Sequence, residues 1–127
     1  MSDLKKYTME FVIKSSPKIL YNFVSSPAGL GEWFSTNVKI SNDIYTFVWD
    51  GEGEQRAKLL SRKEYKSIRF QWEENGDDTY FEFEIKTDEL TNDVSLIITD
   101  FAEESDIESE SLIWESQIQD LSRTIGA

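Results

Sequence analysis

The two side chains that carry most hydrolytic and metal chemistry are missing from this chain, which has no histidine and no cysteine. That removes the commonest general base, the commonest zinc ligand, thiol nucleophiles and disulfides. Carboxylates, lysine, arginine and tyrosine remain as acid–base candidates. The acids gather in groups: Glu52 and Glu54; Glu73, Glu74, Asp77 and Asp78; Asp88, Glu89 and Asp93; Glu103, Glu104, Asp106, Glu108 and Glu110. None has the spacing of a calcium-binding EF-hand loop, and such runs read as solvated loop charge. Asp100 stands apart. If Val94, Leu96 and Ile98 face inward, so does Asp100, at the end of its strand, where it is either an acid of raised pKa or a cap on backbone N–H groups. Arg56, Arg62 and Arg69 could pair with it or hold an anionic head, although alternation turns Arg56 and Arg69 outward. Hydroxyls are plentiful, with no visible base to activate them. No metal and no cofactor is expected.

Charge narrows the partners. Acids outnumber bases 25 to 13, for a net charge of −12. Such a surface repels phosphate backbones and anionic lipid, so neither nucleic acid nor a membrane is expected as a partner. No stretch approaches the ~20 apolar residues of a membrane-spanning helix. Met1 to Lys6 leads into no signal-peptide apolar run, and a cytoplasmic location is the expectation.

The elements that must position these groups are legible from periodicity. Lys5 to Lys14 alternates, with Tyr7, Met9, Phe11 and Ile13 on one face. Two Ser-Ser-Pro triplets, at 15–17 and 25–27, each put serine at an N-cap and proline at the first helical position. The first opens a helix with Ile19, Leu20, Phe23 and Val24; the second opens a short one, Pro27 to Phe34, weakened by Gly29 and Gly31. It ends in Trp33-Phe34, either a plug closing the core or the wall of a cavity. Six strands follow: Asn37–Ser41, Ile44–Trp49, Gln55–Lys63, Ser67–Glu73, Thr79–Lys86 and Val94–Phe101. Short loops, including an Asn75-Gly76 turn, make them an antiparallel meander. From Ser105 to Ala127 one amphipathic helix carries Ile107, Trp114, Ile118, Leu121 and Ile125 on a single face, with Ser105 and Glu108 as a capping box. Its stripe must be buried against the sheet. One domain covers 1–127, a usual size for a single unit of about 100–150 residues.

This order resembles the START-like, helix-grip (SRPBCC) superfamily, and within it the branch named for the activator of Hsp90 ATPase. Ser16-Pro17-Lys18-Ile19-Leu20-Tyr21-Asn22-Phe23-Val24 looks like that family's entry into its first helix. Leu30-Gly31-Glu32-Trp33-Phe34 resembles its Trp-Phe signature, and Trp114, Ile118, Leu121 and Ile125 resemble the stripe of its last helix. Where many members carry a histidine near the end of the last strand, this chain reads Thr99-Asp100-Phe101-Ala102. The resemblance implies an α+β helix-grip fold: a curved seven-stranded antiparallel sheet wrapped around a long C-terminal helix, with two short helices between strands 1 and 2. It also implies a ligand site between sheet and helix. Alternation aims Tyr45, Phe47, Trp49, Phe70, Trp72, Phe81 and Phe83 there, joined by Trp33, Phe34, Trp114 and Ile118, with Asp100 as a polar member. Aromatics bury ~150–250 Å² each, so these rings either fill the space or line a cavity.

Three functions follow. The first is a non-catalytic domain binding an apolar or amphipathic small molecule in that cavity. The alternative is a protein-interaction module resembling an Hsp90 co-chaperone domain, with a protein as partner. The third is a small cyclase- or hydrolase-like enzyme, against which the missing histidine and cysteine weigh.

Overall fold

The computed structural model describes residues 4–74 and 79–126. The Asn75-Gly76 turn and the acids Asp77 and Asp78 lie outside the described residues. Strand β1 (Leu4–Val12) leads into helices α1 (Pro17–Ser25) and α2 (Pro27–Leu30). Strands β2 (Asn37–Ser41), β3 (Ile44–Trp49), β4 (Gly53–Lys63), β5 (Ser67–Trp72), β6 (Phe81–Thr87) and β7 (Val94–Glu103) follow. Helix α3 (Ile107–Ile125) closes the order.

All strands join one curved antiparallel sheet in the order β1-β7-β6-β5-β4-β3-β2. The last six form the meander that short loops dictate, and β1 returns to pair with β7, Phe11 opposite Leu96. The pairing of β4 with β5 slips between Leu59 and Ser61. A bulge of this kind bends its strand and increases local twist, which helps the sheet to wrap.

Both Ser-Ser-Pro triplets do what their chemistry requires. The Ser16 hydroxyl accepts from the Ile19 N–H at 3.2 Å, and that of Ser26 accepts from the Gly29 N–H at 2.9 Å. Helix α2 has only four residues and stops at Leu30, so Trp33 and Phe34 stand on turns beyond it rather than on the expected helix. The glycine that weakens α2 is also what lets it exist here. A Cβ on Gly29 would sit 2.7 Å from the Phe23 Cα and strike the Asn22 carbonyl oxygen, because α2 crosses the end of α1 at backbone contact. Gly29→Ala should therefore cost about 1–3 kcal/mol, as overpacking does, read as a fall in the urea midpoint. Gly31→Ala, whose nearest neighbour is the Pro27 oxygen at 3.2 Å, should cost less.

The start of α3 departs from expectation. Residues Glu104–Asp106 form a 3-10 turn, α3 begins at Ile107 rather than Ser105, and its N-cap Asp106 makes no side-chain cap hydrogen bond. The Ser105–Glu108 capping box does not form. Such a box needs an extended residue at the cap, whereas this chain enters α3 from the 3-10 turn with Asp106 already near helical dihedrals. At the other end, Gly126 takes a left-handed φ of 87° and donates its N–H to Ser122 and Arg123 carbonyls. The α3 stripe is as its spacing requires: Trp114, Ile118 and Leu121 are buried, Ile107 and Ile125 partly so. They rest on the concave sheet face, whose centre is Tyr45, Phe47, Phe70, Phe81, Phe83, Leu96 and Ile98.

Candidate functional site

Antiparallel strands bring alternate chain ends together. The ends of β3, β5 and β7 and the start of β4 therefore meet at one edge of the concave face, opposite the first half of α3. Period-two alternation sets what each strand presents there. The inward series Tyr45, Phe47, Trp49 reaches this edge at Trp49; Phe70, Trp72 reaches it at Trp72; Leu96, Ile98, Asp100 reaches it at Asp100. A cleft of about 620 Å³ opens at this edge. It is lined by Trp49, Trp72 and Asp100, by Glu52, Gln55 and Arg56 from β4 and the turn before it, by Glu74 in the turn after β5, by Phe34, and by Glu110, Ile113, Trp114 and Gln117 of α3.

The remaining inward aromatics lie deeper, in a filled core. Phe70 stacks on Phe81 with ring centroids 5.0 Å apart, Tyr45 meets Phe70 edge-on at 4.9 Å, and Phe83 meets Trp114 edge-on at 5.8 Å. Trp33 packs on Phe83 and donates its indole N–H to the Phe23 carbonyl at 2.8 Å, locking the α2–β2 connection to α1. Ile118 is buried beneath α3. Thus Phe34, Trp49, Trp72, Trp114 and Asp100 face the cleft, while Trp33, Tyr45, Phe47, Phe70, Phe81, Phe83 and Ile118 do not line it.

Hydrogen bonds tie the cleft walls together. The Phe34 carbonyl accepts from the Trp49 indole at 2.9 Å and from the Gln117 amide at 3.4 Å, so one backbone oxygen links the α2–β2 connection to β3 and α3. Phe34 stacks on Trp114 with centroids 5.7 Å apart. Sequence spacing cannot find these contacts, since Phe34 and Gln117 are 83 residues apart. Gln55, Glu52, Glu74, Glu110, Ile113 and Gln117 were not among the expected lining. Gln55 was findable, because it faces inward opposite Phe47.

Asp100 is the polar centre. One carboxyl oxygen accepts the Trp114 indole N–H at 3.0 Å and, more weakly, the Tyr7 hydroxyl at 3.4 Å; the other accepts the Phe101 backbone N–H at 2.8 Å. Of the two roles open to it, it holds one neighbouring backbone N–H but caps nothing at the start of α3. No arginine reaches it among the described residues: Arg56 pairs with Glu73, Arg69 pairs with Glu82 and lies over the Tyr80 ring, and Arg62 lies over Tyr21. Burial raises the Asp100 pKa above the ordinary carboxylate value of 3.8, and the nearby Glu110 carboxylate adds to this, against the lowering effect of its three hydrogen bonds. Burial, then the charge of Asp100, also pushes the Tyr7 hydroxyl upward, so it stays neutral.

A pH dependence follows. Folding raises the Asp100 pKa, so its protonated form favours the folded state. That contribution is complete below the unfolded value of about 3.8 and is lost as pH rises through the folded value. Asp100→Asn keeps an acceptor for the indole and cannot ionise. Its amide nitrogen cannot replace the second accepting oxygen, so the expected result is a trend: its stability relative to wild type should rise between about pH 3 and about pH 7. Urea midpoints across that range measure the difference; a variant that loses stability relative to wild type as pH rises would show that the ionised carboxylate is the form folding prefers.

Among the described residues no cluster of three or more acidic side chains gathers as a metal site, and no helix is long and apolar enough to cross a membrane.

Comparison with known proteins gives a consistent picture. A family model described as a START-like superfamily domain matches residues 1–127. A Bacteroides fragilis protein solved in solution is similar at 32% identity, over 96% of this chain and 91% of that one, with a TM-score of 0.68. The Aha1 dimer of Colwellia psychrerythraea is similar at 20% identity, over 93% of each chain, with a TM-score of 0.76. A Mesorhizobium loti protein shares the fold at 12% identity and a TM-score of 0.79, over 96% of this chain and 97% of that one. A search of curated proteins yields no match.

Proposed function

Because the chain belongs to the START-like superfamily over its whole length, we propose that it binds an apolar or amphipathic small molecule in the cleft between the sheet edge and α3. The observation that carries this reading is the cleft itself, about 620 Å³ with Phe34, Trp49, Trp72 and Trp114 in its lining. That volume falls in the range of small-molecule sites, about 300–1,000 Å³, and an aromatic lining with a few polar groups is their usual chemistry. Binding rather than catalysis fits the polar groups present. Asp100 already has both oxygens engaged within the protein, and among the described residues of the lining no nucleophile is paired with a base.

The test is native mass spectrometry of the protein purified from its own host. A retained small-molecule mass, released on denaturation, is the expected result. A bare protein mass, from a sample that also binds no apolar probe, would overturn the reading.

A protein-interaction role is the second reading. Its support is a separate depression beside α1, where Ile19, Ile40 and Tyr65 are 50%, 46% and 41% exposed. Apolar groups left at a surface in one place mark contact sites. The two readings separate on where substitutions act: at Trp72 for the first, at Ile19 and Ile40 for the second.

A further inference from the structure

We propose that the ligand of the sheet-edge cleft is an organic cation, an alkylammonium group carried on an apolar body. This inference rests on the binding role proposed for the cleft and names the class of molecule.

The first ground is charge. Four carboxylic acids, Glu52, Glu74, Asp100 and Glu110, line the cleft against one guanidinium, Arg56. That guanidinium is already engaged by Glu73, its Nε 2.8 Å from a carboxylate oxygen. Among the described residues, no cation forms an ion pair with any of the four lining acids. The field in the cleft is therefore negative, and the whole chain's charge of −12 adds to it.

The second ground is the rings. An aromatic face is electron-rich and attracts cations, tryptophan most strongly; the indole N–H edge is positive. Here Trp49 turns its N–H inward to the Phe34 carbonyl and Trp114 turns its own to Asp100. What those two indoles leave for a ligand is ring carbon. The same arrangement leaves fewer donors for an anionic head such as a fatty-acid carboxylate, because the Trp49 and Trp114 N–H groups and the Arg56 Nε are engaged within the protein.

The third ground separates an organic cation from a metal ion. A divalent metal needs oxygen ligands converging at about 2.0–2.6 Å, whereas the acids here are distributed around the rim and no group of three converges among the described residues. A diffuse alkylammonium head needs only proximity to several carboxylates and a ring. Its apolar part would lie on Ile113, which is 53% exposed.

Three probes of one chain length test this: octyltrimethylammonium, octanol and octanoate, each titrated into isotopically labelled protein. The chain has four tryptophans, so four indole N–H resonances report. The signals of Trp49, Trp72 and Trp114 should shift, while that of Trp33, which lies outside the cleft lining, stays as internal control. The cation should bind about tenfold more tightly than octanol, with octanoate weakest, and added salt should shrink the preference. In the Glu52→Gln/Glu110→Gln variant, with both substitutions on partly or fully exposed side chains, the ratio of cation to octanol affinity should fall toward one. Octanol or octanoate matching the cation at the same indoles would overturn the cationic ligand and leave the binding role standing. Three probes that leave all cleft indoles unmoved would overturn both.

Discussion

Trp114→Ala should lower the unfolding free energy by about 3–5 kcal/mol, the range for removing a large buried aromatic. Trp114 lies at the junction of core and cleft, and the two positions imply different costs. A side chain that only lined a pocket would lose few contacts on truncation. This one is 6% exposed, stacks on Phe34, meets Phe83 edge-on and donates its N–H to Asp100. The core therefore sets the cost. Truncation also removes the stronger of the two hydrogen bonds to that Asp100 oxygen, leaving only the Tyr7 hydroxyl at 3.4 Å, which adds to the loss. Trp114→Phe divides the two effects. It restores most of the packing but not the N–H, so it should cost clearly less, while the Asp100 pKa rises further because a lowering hydrogen bond is gone. Urea midpoints give the first quantity, and the chemical shift of the Asp100 carboxyl across pH gives the second. A loss below about 1 kcal/mol for Trp114→Ala, the level of ordinary substitutions, would mean that α3 is not held to the sheet through this ring.

Phe34→Ala should be of similar size, about 3–5 kcal/mol, for a different reason. Phe34 belongs to no regular element, yet it is 5% exposed and its ring packs among Phe47, Trp49, Phe81, Phe83 and Trp114. Its carbonyl also receives Trp49 and Gln117. Truncation removes the ring but leaves that carbonyl in place, so the Trp49 and Gln117 bonds persist where the backbone holds. Because Phe34 and Trp114 stack on one another, the two losses should not add. The double variant should cost less than the sum of the single ones, by about 0.5–3 kcal/mol, as expected for residues in contact. Additive losses would show that each ring is held independently of the other.

The order of strands and helices was legible in the sequence because it rests on local rules. Alternation in Ser67–Trp72 and Phe81–Thr87 fixes which side chains share a face. Ser16 and Ser26, each before a proline, start helices through atoms three residues away. Short loops leave neighbouring strands little choice but to pair. The face of α3 that meets the sheet was equally plain from its spacing. Tertiary structure decided what periodicity cannot express. Alternation states the direction of a side chain and is silent on its depth. Phe47 and Trp49 point the same way, yet the first is buried in the core and the second stands at the rim, because helix α3 and Phe34 cover the middle of the sheet and leave its edge open. The bulge after Leu59 and the failed capping box before Glu108 depend on how the chain must turn to reach its partners. The Asp100 site depends on distance in space: Tyr7 and Trp114, 93 and 14 residues away, converge on one carboxyl only once β1 has paired with β7 and α3 has crossed the sheet.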